Sequence, residues 1–315
     1  MTPFTARPFR AESDVAGMVA LHNAIDRADG REPTLTVERL AASLDAPKLH
    51  RWVIDAPGGT GELAGYGVLF NQTPDRCYGD VRVGLAWRRR GLGHLLVDQL
   101  VAKAAELGTR YLAIDVDHAN QDALRFLLSQ GFRFRGDTWA LVAPAGRELP
   151  PPVWPDGYTV KAYAEVNDLP LYVALKNHTF SDLWGHWENT PGLVDEAQVA
   201  ANLGRFDSRG SFLVFDPAGA AVGQCRTLLA KGDGPGDTPH VLDQPGVVPA
   251  HRAAGLHAPL ALTAAHWLQG QSRRPIRLES WGDPAATIAI YEALGFTLVE
   301  HEVSYVRELP VRATS

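Results

Sequence analysis

The feature that most restricts how this 315-residue chain can fold is a long internal repeat. Arg252-Ala253-Ala254-Gly255-Leu256 repeats Arg88-Arg89-Arg90-Gly91-Leu92, and Gly295-Phe296 repeats Gly131-Phe132, both at an offset of 164 residues. The same offset lays Val83 on Val247, Leu127 on Tyr291 and Val142 on Val306. Solenoid repeats run about 20 to 50 residues, so a period this long marks a duplicated domain. The length fits two domains, and a hydrophobic content of 45% is ample for two cores. The expected division is a first domain over residues 1–145, a linker over 146–156 and a second domain over 157–315. Four prolines between 150 and 155 make the linker stiff and extended.

Within the first copy, VRVGLAWRRRGLGHLLVDQL at 81–100 reads as a strand that passes through a basic, glycine-containing turn into a helix. Leu92, Leu95, Leu96, Leu100, Val101, Ala104 and Leu107 recur at helical spacing, and Gly108 ends the run. The first turn of a helix has amides with no internal acceptor and a positive dipole end, so the N–H groups from Arg88 to His94 form a cradle for a pyrophosphate. Gly91 and Gly93 let a ligand approach the backbone closely. No Lys-Ser/Thr follows the glycines and position 96 is Leu, so neither a Walker loop nor the dinucleotide fingerprint is present.

A formal net charge of −6 argues against general nucleic-acid or membrane-surface affinity. Two cysteines, Cys77 and Cys225, make no disulfide framework, and neither they nor His178, His186 and His240 have metal-ligand spacing. No signal-peptide core and no run of about 18 apolar residues occurs. The expectation is a cytoplasmic protein with no metal, no nucleic-acid partner and no membrane partner, as monomer or homodimer.

Taken in order, the first copy reads as a short strand, two helices (the second over Thr36 to Leu44), strands HRWVID and ELAGYGVLF, the strand and helix around the loop, RYLAIDVD, a helix stopped at Gly131, and DTWALVA. The second copy restarts with GYTVKAY and a helix over Asn167 to His178, and its early part is lengthened by TFSDLWGHWENTPG. KGDGPGDTPH reads as a loop before the strand HVLDQPGVV.

The spacing Arg88-x-x-Gly91-x-Gly93, with Asn120 seven residues before Leu127 and Gly131-Phe132 after the helix, resembles the GCN5-related N-acetyltransferase (GNAT) family, although Leu85 stands where that family often has proline. The resemblance implies an α/β fold of the α+β type, with a mixed sheet, built as two tandem acyl-CoA N-acyltransferase domains. It implies acetyl-CoA as co-substrate, a small-molecule amine as acceptor, and transfer of an acetyl or short acyl group. Its coenzyme A contacts would be Val83, Leu85, Arg88, Arg89, Arg90, Gly91, Leu92, Gly93, His94 and Asn120, with Val247, Val248, Arg252, Gly255 and Leu256 in the second copy.

The reaction needs a neutral amine, a donor for the developing oxyanion and a proton for the leaving thiolate. The first copy has the better loop but Leu127 at the family's tyrosine position. The second keeps Tyr291 there, yet has His257 for the second glycine, and its Pro259 lacks an N–H. Asp243, four residues before Val247, resembles the family's base, and the offset lays it on Gly79. Asp80 is one step along and faces the other way unless a bulge intervenes. Trp184, His186, Trp187 and Glu188 fall in the segment that walls the acceptor site in this family. Plainer roles stand beside these: a turn residue for Asp243, a satisfied core tyrosine for Tyr291, and tryptophans buried against the other domain. The favoured reading puts catalysis in the second domain, through Asp243 and Tyr291, with a tight coenzyme A site in the first. The alternatives put catalysis in the first domain, through Asp80, or make the chain a non-catalytic acyl-CoA sensor.

Overall fold

The structure is a computed structural model, and it describes residues 4–44, 49–59, 61–70, 73, 75–186, 194–230 and 238–310. Two compact units form, and they are not the two copies cut at the linker: unit 1 is Met1–Phe134 with Ser304–Ser315, and unit 2 is Arg135–Val303. Each copy's closing strand therefore leaves the unit that the rest of the copy builds.

Unit 1 runs β1 (Ala6–Pro8), α1 (Ala11–Ala28), α2 (Val37–Ala42), β2 (His50–Asp55), β3 (Leu63–Phe70), β4 (Arg76–Val83), α3 (Leu92–Glu106), β5 (Tyr111–Asp117) and α4 (Gln121–Ser129). Its strands pair antiparallel from β1 to β4, and β4 pairs parallel with β5. Local sequence sets the helix starts: the Thr36 hydroxyl accepts the Arg39 N–H and the Asn120 side chain accepts the Ala123 N–H. α3 buries Leu92, Leu96, Val97, Leu100 and Ala104, one stripe of its surface. Leu100 and Val97 join Leu69, Cys77, Leu112 and Phe132 in a core that Leu309 also enters. Each fully buried leucine is worth about 2 kcal/mol.

The closing strand of the first copy, β6 (Arg133–Ala143), lies almost wholly in unit 2. Unit 2 continues with β7 (Thr159–Ala162), α5 (Tyr163–Val166), α6 (Leu169–Phe180), α7 (Glu196–Leu203), β8 (Phe212–Phe215), β9 (Ala221–Leu228), β10 (His240–Val247), α8 (His257–Gln271), β11 (Ile276–Trp281) and α9 (Ala285–Ala293). β12 (Thr297–Glu308) starts here and ends in unit 1. β7 to β10 pair antiparallel, β10 pairs parallel with β11, and β11 pairs antiparallel with β6 from Ile276↔Ala143 to Trp281↔Thr138. The core gathers Leu260, Ala261, Ala264 and Leu268 of α8 under Leu213, Leu242 and Leu278.

The helix expected over Asn167 to His178 starts later, because Asn167 takes a left-handed φ of 44° and Asp168 caps Leu171. Helices α5 and α7 were not expected. Most of the expected loop KGDGPGDTPH lies outside the described residues.

Candidate active site

In unit 1, β4 ends at Val83, and a short 3-10 turn, Leu85–Trp87, leads to the arginines. Leu85 is exposed, Arg90 lies over the Trp87 ring at 5.1 Å, and Arg89 has a φ of 63°. Gly91 caps α3 in the left-handed region at φ 85°, a conformation costly for any residue with a Cβ. Of the amides expected in the cradle, that of Arg88 donates to Leu85 O at 3.4 Å, while those of Arg89 to His94 have no acceptor among the described residues, the arrangement an anion cradle requires. Arg88 Nε donates to Val83 O at 3.2 Å, which anchors the loop to the strand it left. A Cβ at Gly93 would meet Phe126 at 3.0 Å, and His94 packs edge-on to the same ring. The Leu92 side chain is core, so only its backbone can face a ligand. Asn120 spends its side-chain oxygen on the helix cap.

The loop of unit 2 repeats the anchor, Arg252 Nε to Val247 O at 3.1 Å, and then diverges. Its 3-10 helix is longer, Pro249–Ala254, and turns amides inward that the first loop leaves open. Arg252 is clamped by both oxygens of Asp182 at 2.7 Å and by Thr179 O at 3.2 Å. His257 is buried, and burial, with Arg252 nearby, pushes its pKa down to about 4. Gly255 has a φ of 75°, and the side chains of Val247, Val248 and Leu256 are core, leaving only backbone for a ligand.

The strands before the loops differ by one residue. Gly65 faces Val83 in unit 1 and Gly223 faces Val247 in unit 2, which fixes equivalent rungs. Three residues further along β3 and β9, Val68 faces Asp80 and Arg226 faces Asp243. β4 covers that distance in three residues; β10 needs four, because a bulge falls between Asp243 and Gly246, with Gln244 at φ 48°. Asp243 therefore shares its rung with Asp80, and the match to Gly79 given by the offset is corrected. Gly246 must be glycine, since a Cβ would lie 2.3 Å from Thr179.

Asp80 and Asp243 have different company. Asp80 takes Arg82 Nε at 3.2 Å and lies 3.5 Å from the Tyr66 hydroxyl; Arg82 reaches Asp26 at 2.6 Å, and His22 bridges Asp26 at 3.1 Å and Tyr66 at 2.6 Å. Burial, with Arg82 nearby, holds His22 below its ordinary pKa, against the opposing pull of Asp26 and Asp80. Asp243 is buried in an ion pair with Arg226, whose guanidinium lies 4.2 Å from the Phe206 ring.

Tyr291 is fully buried on α9, and among the described residues its hydroxyl has no hydrogen-bond partner. A buried hydroxyl without a partner among the described residues calls for an explanation. Burial, with the Asp283 carboxylate and Cys225 nearby, lifts its pKa well above the ordinary range.

His186 is buried, stacked on Phe180 at 4.1 Å, and donates from Nε2 to Trp281 O at 2.6 Å. Trp184 packs beneath Gly136, with the Arg135 guanidinium 5.3 Å from its ring. Trp187 and Glu188 lie outside the described residues. The segment at 183–184 presses on Gly282, where a Cβ would come within 2.6 Å of Trp184 O, and so borders the end of β11.

Two residues there escaped the sequence reading. Ser280 and Asp283 are buried, and Ser280 Oγ donates to Asp283 Oδ2 at 2.7 Å. The signal was available in the repeat, since the offset lays them on apolar Val116 and Ala119. Pairing of β10 with β11 stops at Asp243↔Glu279, which opens the ladder there: Gly246 and Val247 follow on β10, Ser280 and Trp281 on β11, and Asp283, two residues past β11, lies close enough to raise the pKa of Tyr291. The arrangement offers an anion cradle in one unit and buried proton donors and acceptors in the other.

Known proteins match this organisation. The model of the Acetyltransferase (GNAT) family matches residues 11–132. A mycothiol acetyltransferase of Salinispora tropica is 30% identical over 93% of this chain and 92% of its own length. One of Salinispora arenicola is 30% identical over 97% of this chain and 98% of its own. A GCN5-related N-acetyltransferase from Sphaerobacter thermophilus shares the fold at a TM-score of 0.74 and 19% identity, over 97% of this chain and 95% of that one. A tandem GNAT protein from the clavulanic acid biosynthesis pathway does so at 0.62 and 17%, over 97% and 98%. With loop, repeat and fold agreeing with relatives matched over nearly their whole length, the chain belongs to the GNAT family and is an acetyl-CoA-dependent N-acetyltransferase.

Proposed function

We propose that this enzyme acetylates the amine of a small molecule, with the chemistry in unit 2 and an acetyl-CoA loop in unit 1. The observation that carries the first part is the buried Tyr291 hydroxyl, which has no hydrogen-bond partner among the described residues and lies near Asp283, past the last rung between β10 and β11. A phenol kept neutral by burial can protonate a leaving thiolate, and a carboxylate at the same opening can relieve the amine of its proton. The second part rests on the open amides of residues 89–94 and on Arg88, whose guanidinium, among the described residues, has no carboxylate clamp like the one Asp182 puts on Arg252. The acceptor to try first is the one acetylated by relatives named mycothiol acetyltransferases. His257 and Pro259, at the second glycine and just beyond it, make this loop unlike the first and leave other small amines as the next to try. We place the protein in the cytoplasm as a monomer or homodimer; no helix among the described residues is long and apolar enough to cross a membrane.

The test is release of coenzyme A from acetyl-CoA with a panel of amines, for wild type and Tyr291→Phe. The variant keeps the ring and loses the proton, so kcat should fall about 10²-fold while KM for acetyl-CoA stays nearly constant. Wild-type kcat in Tyr291→Phe together with no turnover in Asp80→Asn would move the chemistry to unit 1. Binding of acetyl-CoA without turnover of any amine would mark a sensor.

A further inference from the structure

Three positions around the opening in unit 2 carry polar groups where the repeat has apolar ones: Ser280 for Val116, Asp283 for Ala119 and Tyr291 for Leu127. All three are buried in unit 2. A buried polar group costs stability unless it is fully satisfied, so a set of three at one opening suits a reaction better than a core.

We infer that Asp283 is the base that takes the acceptor amine's proton in unit 2, that Ser280 sets its basicity, and that Tyr291 completes the proton cycle. This deepens the proposed function and rests on it. Asp243 is the less available proton acceptor because its carboxylate is already held by Arg226 in a buried ion pair. Asp283 has a hydroxyl for its partner instead of a cation. Its backbone is fixed on both sides, by Trp139 Nε1 donating to Asp283 O at 3.1 Å and by Gly282 N donating to Asp137 O at 2.7 Å.

The charged and titratable groups around it are few. From the loop before α8 and the segment after α6 come Arg252 and Asp182, which are bound to each other. α9 contributes Tyr291, the segment beyond α6 also His186, and β6 and β12 the pair Asp137 and His301, 2.7 Å apart. Burial is the largest influence and pushes the Asp283 carboxyl up to about 6, against the opposing pull of the Ser280 hydrogen bond.

The step balances without any further reagent. The amine nitrogen bonds to the acetyl carbon, the C–S bond breaks, the nitrogen's surplus proton passes to the Asp283 carboxylate, and the Tyr291 O–H proton passes to sulfur. That leaves a neutral Asp283 and a Tyr291 phenolate; since the phenol is much the weaker acid, the proton returns from Asp283 to Tyr291 downhill.

The experiment compares wild type, Asp283→Asn, Ser280→Ala and Asp243→Asn in the full-length protein. It measures the pH profile of kcat/KM with two acceptors of different amine pKa, and the Tm of each protein from pH 4 to pH 8. An acidic limb near pH 6 that is independent of the acceptor should disappear in Asp283→Asn, with kcat lowered about 10²-fold. In Ser280→Ala the limb should move to higher pH with little loss at the plateau. A carboxyl whose folded pKa is raised above its unfolded value destabilises the fold once pH passes from about 4 through about 6, so Asp283→Asn should raise Tm at pH 7.5 and not at pH 4. Asp243→Asn should lower Tm and keep the limb. Asp283→Asn with wild-type kcat and an intact limb overturns the inference and leaves the acetyltransferase reading standing, as does a limb lost in Asp243→Asn instead. A wild type that turns over no amine overturns both.

Discussion

The loop entering α3 and the loop entering α8 derive from one repeated sequence, and each keeps the same internal anchor, an arginine Nε on the carbonyl five residues before it. Around that anchor the chemistry has separated. Among the described residues, the first loop presents open amides at a left-handed glycine and an arginine with no carboxylate clamp, over an unbulged β4 and the apolar trio Val116, Ala119 and Leu127. The second has a clamped arginine, a buried histidine and a proline, over a bulged β10 and the polar trio Ser280, Asp283 and Tyr291.

The largest effect should come from cutting the chain as the repeat suggests. A fragment of residues 157–315 lacks β6, which pairs along the whole of β11, and a fragment of residues 1–145 lacks Leu309 from its core. Residues 135–303 form a contiguous compact unit. Expressed alone, 135–303 should show a cooperative thermal transition and 157–315 should not. Equal transitions for the two would mean that β6 contributes nothing to the fold.

This fragment prediction also marks where sequence reading stops. The order of strands and helices was legible because apolar spacing, Thr36, Asn120 and the terminating glycines are local signals. The exchange of closing strands was not, since DTWALVA pairs as well with one parallel edge as another, and nothing local says which. At the candidate site, the glycine turn at Gly91, which does take a left-handed φ, was legible from spacing. The rung of Asp243 was not, because a single bulged residue shifts the register by one and turns the expected partner Gly79 into Asp80.

The next effect concerns Asp243 itself. Replacing it with Asn removes one member of a buried ion pair and leaves the Arg226 charge without its carboxylate, a loss of about 3 kcal/mol by denaturant unfolding. Phe206 beneath the guanidinium softens this. An unchanged midpoint would show that the pair does not hold the bulge.

His257 should give an acid-dependent effect of similar or smaller size. Its folded pKa, about 4, lies below the unfolded value of 6.5, so the unfolded chain binds the proton more readily and stability falls as pH drops from about 6.5 through about 4. The full loss is roughly 3 kcal/mol. His257→Gln should flatten that part of the stability curve; Gly93, its counterpart, has nothing to titrate.

Gly91→Val should weaken acetyl-CoA binding about tenfold by calorimetry. A β-branched residue at φ 85° costs about 1–2 kcal/mol, and the loop must give up either its conformation or its cradle. Gly255 has a similar φ of 75° but a loop that already turns amides inward, so Gly255→Val should leave that affinity unchanged. Equal losses would put coenzyme A on both loops.

The smallest effect should be that of Asp80→Asn, and it bears most directly on what the shared rung means. Asp80 and Asp243 occupy equivalent places on their ladders, so position alone cannot make one of them a base. Asp80 is partly exposed, its arginine is also bound by Asp26, and the Tyr66 hydroxyl has His22 closer to it than Asp80 is. With those partners still joined to one another, removing the charge should cost no more than about 0.5 kcal/mol. Turnover should remain within about twofold of wild type at every pH, since β4 has no bulge and Leu127 offers no proton at that opening. A tenfold fall in kcat with unchanged stability would mean that the apolar trio of unit 1 does not silence it, and that the two copies divide the reaction in some other way.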